Sequence, residues 1–114
     1  MKDKILNAYL HTALWSSIDE NEHPLDDKYD PDDFSDEAVE LSKTDIVSFW
    51  GLAKDLIRGC DEEFVAHDFW LTRNGHGAGF WDGDYENGDE LTEICKQFKE
   101  LNPYAGDDGK IYFF

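Results

Sequence analysis

An α+β fold is what this sequence predicts: N-terminal helices, an antiparallel β-hairpin, a further helix and a C-terminal strand, forming a small sheet covered by helices. Three observations lead there. Apolar residues recur every three or four positions over 5–15 and again over 35–58, the pattern of helices with one buried face. Between 64 and 81 the chain becomes aromatic and glycine-punctuated around Asn74-Gly75, a strong short-range hairpin signal. A tyrosine- and phenylalanine-rich run at 110–114 follows the turn residues Asp107-Asp108-Gly109. At 114 residues the chain is read as a single domain over 1–114, with one core.

The elements follow in order. Ile5, Ala8, Tyr9, Leu10, Ala13 and Leu14 mark the first helix, ended near Ser16-Ser17. The stretch 19–40 carries eleven acidic residues and one lysine, Lys28, with Pro24 and Pro31 as breakers, and reads as a long acidic connection. Ala38, Leu41, Phe49, Leu52 and Leu56 carry a helix from near Ser35 to Arg58, with Gly59 at its C-cap. A capping box at Ser42–Asp45 offers two helices in its place. Phe64, Val65, Phe69, Trp70 and Leu71 read as a strand, 78–81 as its return strand, and 82–89 as an acidic loop. Leu91, Ile94, Cys95, Phe98 and Leu101 then mark a helix stopped by Pro103.

Charge sets the first functional bound. Twenty-seven Asp and Glu face ten Lys and Arg, a net charge of −17. Such a surface repels DNA, RNA and anionic lipid and attracts basic proteins. The charged start, Met1-Lys2-Asp3-Lys4-Ile5, does not read as a secretory segment, and no apolar run reaches membrane-span length. A cytoplasmic setting is expected, with Cys60 and Cys95 as reduced thiols and no cofactor.

The run His67-Asp68-Phe69-Trp70-Leu71-Thr72-Arg73-Asn74-Gly75-His76-Gly77-Ala78-Gly79-Phe80-Trp81-Asp82 resembles the signature of a family of small proteins encoded by tailed bacteriophages. Ala13-Leu14-Trp15-Ser16-Ser17, Pro24-Leu25-Asp26 and Gly106-Asp107-Asp108-Gly109-Lys110-Ile111-Tyr112 agree with it. The match is looser between Ser35 and Glu63. The resemblance implies an origin and a host-cell setting; it carries over no catalytic residue.

A compact chain of this length is about 34 Å across, and duplex DNA carries about 20 charges over that distance, the same order as −17. The expected function is therefore that of a non-enzymatic accessory protein. It would inhibit a basic, nucleic-acid-binding host protein of defence or DNA processing through a DNA-mimicking surface. Asp26, Asp27, Asp30, Asp32, Asp33, Asp36 and Glu37 form the expected partner-binding face, with Asp82, Asp84, Glu86, Asp89 and Glu90 as a second cluster. The alternative is a small enzyme or ligand-binding protein using the glycine-rich hairpin tip, with Asp68, Arg73 and His76.

Other patterns point less far. Asp82, Asp84, Glu86, Gly88 and Glu93 partly echo a calcium loop, but Asn87 stands where the sharp-turn glycine belongs. Cys60, His67, His76 and Cys95 have zinc-ligand chemistry without compact ligand spacing, so no metal is expected. Asp108-Gly109-Lys110 lacks the further carboxylates of a nuclease core. Alternation along the expected strand sets Trp70 opposite Phe69, as a protein-binding anchor if that sheet face is uncovered.

Overall fold

Acidic pairs start three of the four described helices. The computed structural model describes residues 3–18, 22–75, 79–80 and 85–114. Within them lie α1 (Asp3–Trp15), α2 (Asp36–Ala53), α3 (Glu62–Arg73) and α4 (Gly88–Cys95), followed by strands β1 (Pro103–Ala105) and β2 (Ile111–Phe113). Asp36-Glu37, Glu62-Glu63 and Asp89-Glu90 occupy the first turns of α2, α3 and α4, where the positive end of the helix dipole favours them. Two short 3-10 turns, Leu25–Asp27 and Pro31–Asp33, carry Asp26-Asp27 and Asp32-Asp33 in the same way. Part of the acidic composition thus has a local structural cause.

Ser35 caps α2, its Oγ accepting the Ala38 N–H at 3.1 Å. The helix then runs unbroken through 42–45, because the Ser42 hydroxyl turns back onto the Ala38 carbonyl at 2.8 Å and starts no new element. It stops at Ala53, earlier than the sequence reading. Residues 54–60 continue as turns, ending on Gly59 at φ 83°.

The largest correction concerns the expected hairpin. Residues 64–71, read as a strand, lie in α3. Asp61 accepts the N–H groups of Glu63 and Phe64 at 2.9 and 3.1 Å, satisfying donors that a helix start leaves open. Val65, Ala66, Phe69, Trp70 and Arg73 then fall on the buried side, a helical spacing. Asn74-Gly75 ends this helix and makes no hairpin: Gly75 takes φ 68°, a left-handed conformation favoured at helix C-termini. The Asn74 side chain donates to the Trp70 carbonyl and accepts from the Leu101 N–H, at 2.9 and 2.7 Å. Of the expected return strand, Ala78 and Trp81 lie outside the described residues; the Phe80 N–H donates to Thr72 Oγ1 at 3.1 Å.

The sheet is a two-stranded antiparallel hairpin at 103–113, with Pro103 opposite Phe113, Tyr104 opposite Tyr112 and Ala105 opposite Ile111. The turn at 107–109 and the final strand match the sequence reading. Pro103, read there as a helix stop, begins β1. Helix α4 ends at Cys95, with turns as far as Phe98. The fold is therefore mostly helical.

Its core is aromatic. Phe49 of α2 stacks on Phe69 of α3 at 4.2 Å and on Phe80 at 5.7 Å, and Phe98 meets Phe69 edge-on at 5.0 Å. Tyr9 of α1 packs edge-on against Trp70 at 5.3 Å. Trp70 is buried, and its indole N–H donates to Ser16 Oγ at 2.9 Å. It is a core residue held at its polar tip, and not the surface anchor that an uncovered sheet face would have made of it. The hairpin joins this core through Ile111 and Phe113, the latter packed on Trp70 and Phe34.

Candidate functional site

The acidic segment is pinned at both ends. Leu25 and Phe34 are buried, the Leu25 N–H bonds to the Ser17 carbonyl, and the Ser35 N–H bonds to the Ile111 carbonyl at 2.8 Å. Between them Asp30 and Asp33 form a reciprocal cap. Asp30 Oδ1 accepts the Asp32 N–H at 2.9 Å, and Asp33 Oδ2 accepts the Asp30 N–H at 2.8 Å. Pro31 fits the first position of that turn, where no donor is needed. Hence two of the seven expected binding carboxylates also have a structural task.

Asp26, Asp27, Asp30, Asp32, Asp36 and Glu37 are exposed, and Asp33 is half-buried. Among the described residues no lysine or arginine pairs with these seven; the ion pairs join Lys4–Glu62, Lys43–Glu40, Arg58–Asp55, Arg73–Asp45 and Lys96–Glu93. The seven thus lie along one short, anchored stretch of chain, with Lys28 as the base within 26–37 and Lys4 and His11 facing it from α1. A shallow groove separates it from α1, lined by Lys4, His11, Asp30, Asp32 and Glu63. In the second cluster Glu86, Asp89 and Glu90 are exposed; Asp82 and Asp84 lie outside the described residues.

The two described residues of the alternative site, Asp68 and Arg73, do not share a face. Arg73 is buried. Its Nη1 donates to Asp45 Oδ2 at 2.7 Å and to the Tyr9 hydroxyl at 3.0 Å, while Nε and Nη2 both reach the Lys99 carbonyl, at 3.0 and 2.6 Å. The same guanidinium lies over the Phe69 and Phe98 rings. It binds four parts of the fold together and is not presented to solvent. Asp68 sits five residues earlier on α3, about 140° away around the helix axis. His76 lies outside the described residues.

Asp68 has partners that the sequence did not suggest. It accepts the Tyr85 hydroxyl at 2.7 Å, and His67 Nδ1 lies 3.1 Å from its other oxygen. The Trp15 ring stacks on His67 at 5.4 Å. Asp68 and Tyr85 border a small groove with Cys60, Asp61 and Phe64. Only the adjacency of His67 and Asp68 was legible beforehand; Tyr85 stands in a segment read as a plain acidic loop.

Of the calcium-like residues, Gly88 and Glu93 are part of α4, and Glu93 pairs with Lys96 at 2.8 Å. Among the described residues no three His, Cys, Asp or Glu side chains come together as a metal site. Cys60 and Cys95 are free thiols, and burial pushes Cys95 up to about 12. Asp108 belongs to the β1–β2 turn, accepting the Lys110 N–H and the Tyr112 hydroxyl. No described helix is long and apolar enough to cross a membrane. No family model, curated protein or solved structure matches this chain at a significant level.

Proposed function

We propose that this chain is a phage-like accessory protein that binds and inhibits a basic, nucleic-acid-binding host protein through its acidic face. One observation carries the reading: seven carboxylates between Asp26 and Glu37, six of them exposed, stand on an anchored segment unpaired by lysine or arginine among the described residues. A flexible acidic tail would lose ordering entropy on binding. A segment held by Leu25, Phe34 and the Asp30–Asp33 cap has met that cost in folding.

Scale agrees. The molecule is 41 Å in its longest dimension, and duplex DNA of that length carries about 24 charges against a net −17 here. A site evolved for phosphates would meet a comparable charge on a comparable length, so its Lys and Arg side chains have carboxylates to pair with.

The test is capture of partners from host-cell lysate at low and high salt, with competing duplex DNA. A nucleic-acid-binding protein released by salt and displaced by DNA is the expected result. Capture that ignores both would overturn the reading.

The ligand-binding alternative keeps a narrower basis. With Arg73 engaged in the core, it rests on Asp68 with His67 and Tyr85 beside the groove at Phe64. Small-molecule binding abolished by Asp68→Asn, with the fold intact, would favour it.

A further inference from the structure

The two faces of the β1–β2 hairpin are unlike. Ile111 and Phe113 point into the core, so alternation puts Tyr104, Tyr112 and Phe114 on the outer face. Tyr104 is 42% and Phe114 73% exposed. The three rings form a contiguous surface: Tyr104 stacks on Tyr112 at 5.8 Å and meets Phe114 edge-on at 5.2 Å. Nothing in the core requires aromatics there.

The surface is also held in place. The Tyr112 hydroxyl donates to Asp108, which in turn accepts the Lys110 N–H. The Tyr112 ring lies so close over Gly106 that a Cβ on that residue would sit 2.6 Å from Cε2. These contacts fix the ring before any partner arrives. Its neighbourhood is acidic: the hydrogen bond to Asp108 and desolvation, with smaller contributions from the charges of Asp108 and Glu37, raise the Tyr112 phenol above its ordinary range, Asp36 and Asp107 are exposed nearby in sequence, and Lys110 is a basic neighbour in sequence.

We propose that this outer face docks an arginine-bearing segment of the basic partner, its guanidinium lying over Tyr104 and Tyr112 and its charge met by Asp108 and Glu37. The assignment deepens the acidic-face reading and rests on it. Charge complementarity selects the occupant. Aromatic faces attract cations, and guanidinium combines flat stacking with forked donation to carboxylates. Asp108 spends two of about four acceptor positions on the hairpin, leaving the others open. A nucleic-acid base would bring phosphates against the same carboxylates. A second copy of the chain would bring another −17.

The test is an NMR titration of the full chain, watching the ring signals of Tyr104, Tyr112 and Phe114. The probes are the peptide Gly-Arg-Gly-Arg-Gly, its lysine counterpart and single-stranded oligothymidylate, at moderate salt. Shifted ring signals and tighter binding of the arginine peptide are expected. Replacing Tyr104 and Phe114 together by serine should weaken that binding about tenfold, with Tyr112→Phe as a milder variant that keeps the ring. The proposal falls if the rings do not respond at saturation, if arginine and lysine peptides bind alike, or if oligothymidylate shifts the rings as strongly. Failure of the acidic-face reading registers separately, as lysate capture unchanged by Asp26→Lys, Asp27→Lys and Asp32→Lys.

Discussion

Arg73 Nη1 lies 2.7 Å from Asp45 Oδ2, and this ion pair ties the last turn of α3 to the middle of α2 inside the molecule. The Arg73 side chain is 3% exposed and that of Asp45 17%. Two desolvated charges contribute little net stability as a pair, yet removing one strands the other. Arg73 also serves the Tyr9 hydroxyl and the Lys99 carbonyl, so its loss leaves several groups unsatisfied.

Arg73→Met is therefore expected to lower the unfolding free energy by about 3–5 kcal/mol, measured by urea denaturation. Adding Asp45→Leu should restore a large part of that loss, because the stranded carboxylate goes with it. A single variant within about 0.5 kcal/mol of the parent would show that the pair does not hold the fold.

Asp61 is the second point of leverage, since it starts the helix that the sequence disguised as a strand. Asp61→Ala should cost about 0.5–2 kcal/mol, and Asp61→Asn much less, because asparagine caps nearly as well. Circular dichroism under denaturant measures both. Equal losses would mean that charge and not capping sets the effect.

That disguise has a physical origin. Phe64, Val65, Phe69, Trp70 and Thr72 are strand formers by local preference, and α3 is apolar around more than one side because α1 and α4 pack on it and Phe49 of α2 and Phe113 of β2 reach it with their rings. Burial, which the sequence does not display, overrode preference. Asp61-Glu62-Glu63 was the opposing signal, a helix start. Asn74-Gly75 was ambiguous by nature, since a left-handed glycine ends a helix as readily as it turns a hairpin. The helical spacing of α1 and α2 and the final turn were legible because each is a local pattern. The exposed acids were legible as charges; that Asp30 and Asp33 cap a turn was not, because Pro31 reads equally as a breaker. Tyr104 stayed hidden behind Pro103, taken for a stop.

Alkaline pH supplies a third prediction. Burial raises Cys95 from 9.0 to about 12, and it holds Tyr9 far above its ordinary 10.0. Both groups ionise first in the unfolded chain, so the folded state binds more protons above pH 9. Stability should be full below that value and fall as pH rises towards 12, by up to about 1.4 kcal/mol per pH unit for each group. Cys95→Ala should flatten the first part of the decline. Thermal melts from pH 7 to 11 measure it, and a flat profile would contradict the burial of both groups.

The acidic face gives the last prediction, and the choice of residues decides whether it is clean. Asp30 and Asp33 cap their own turn, so changing them would confuse binding with folding. Asp26, Asp27 and Asp32 are exposed and accept no hydrogen bond from a described side chain. Reversing these three to lysine sacrifices some helix-dipole attraction, about 0.3–1 kcal/mol each, but relieves self-repulsion in a chain of net charge −17. The two effects oppose, and stability should shift by no more than about 1 kcal/mol. Capture of a basic partner should nevertheless disappear at physiological salt, because the segment that meets its Lys and Arg side chains would then repel them. A folded variant that still captures the partner would place binding elsewhere on the molecule.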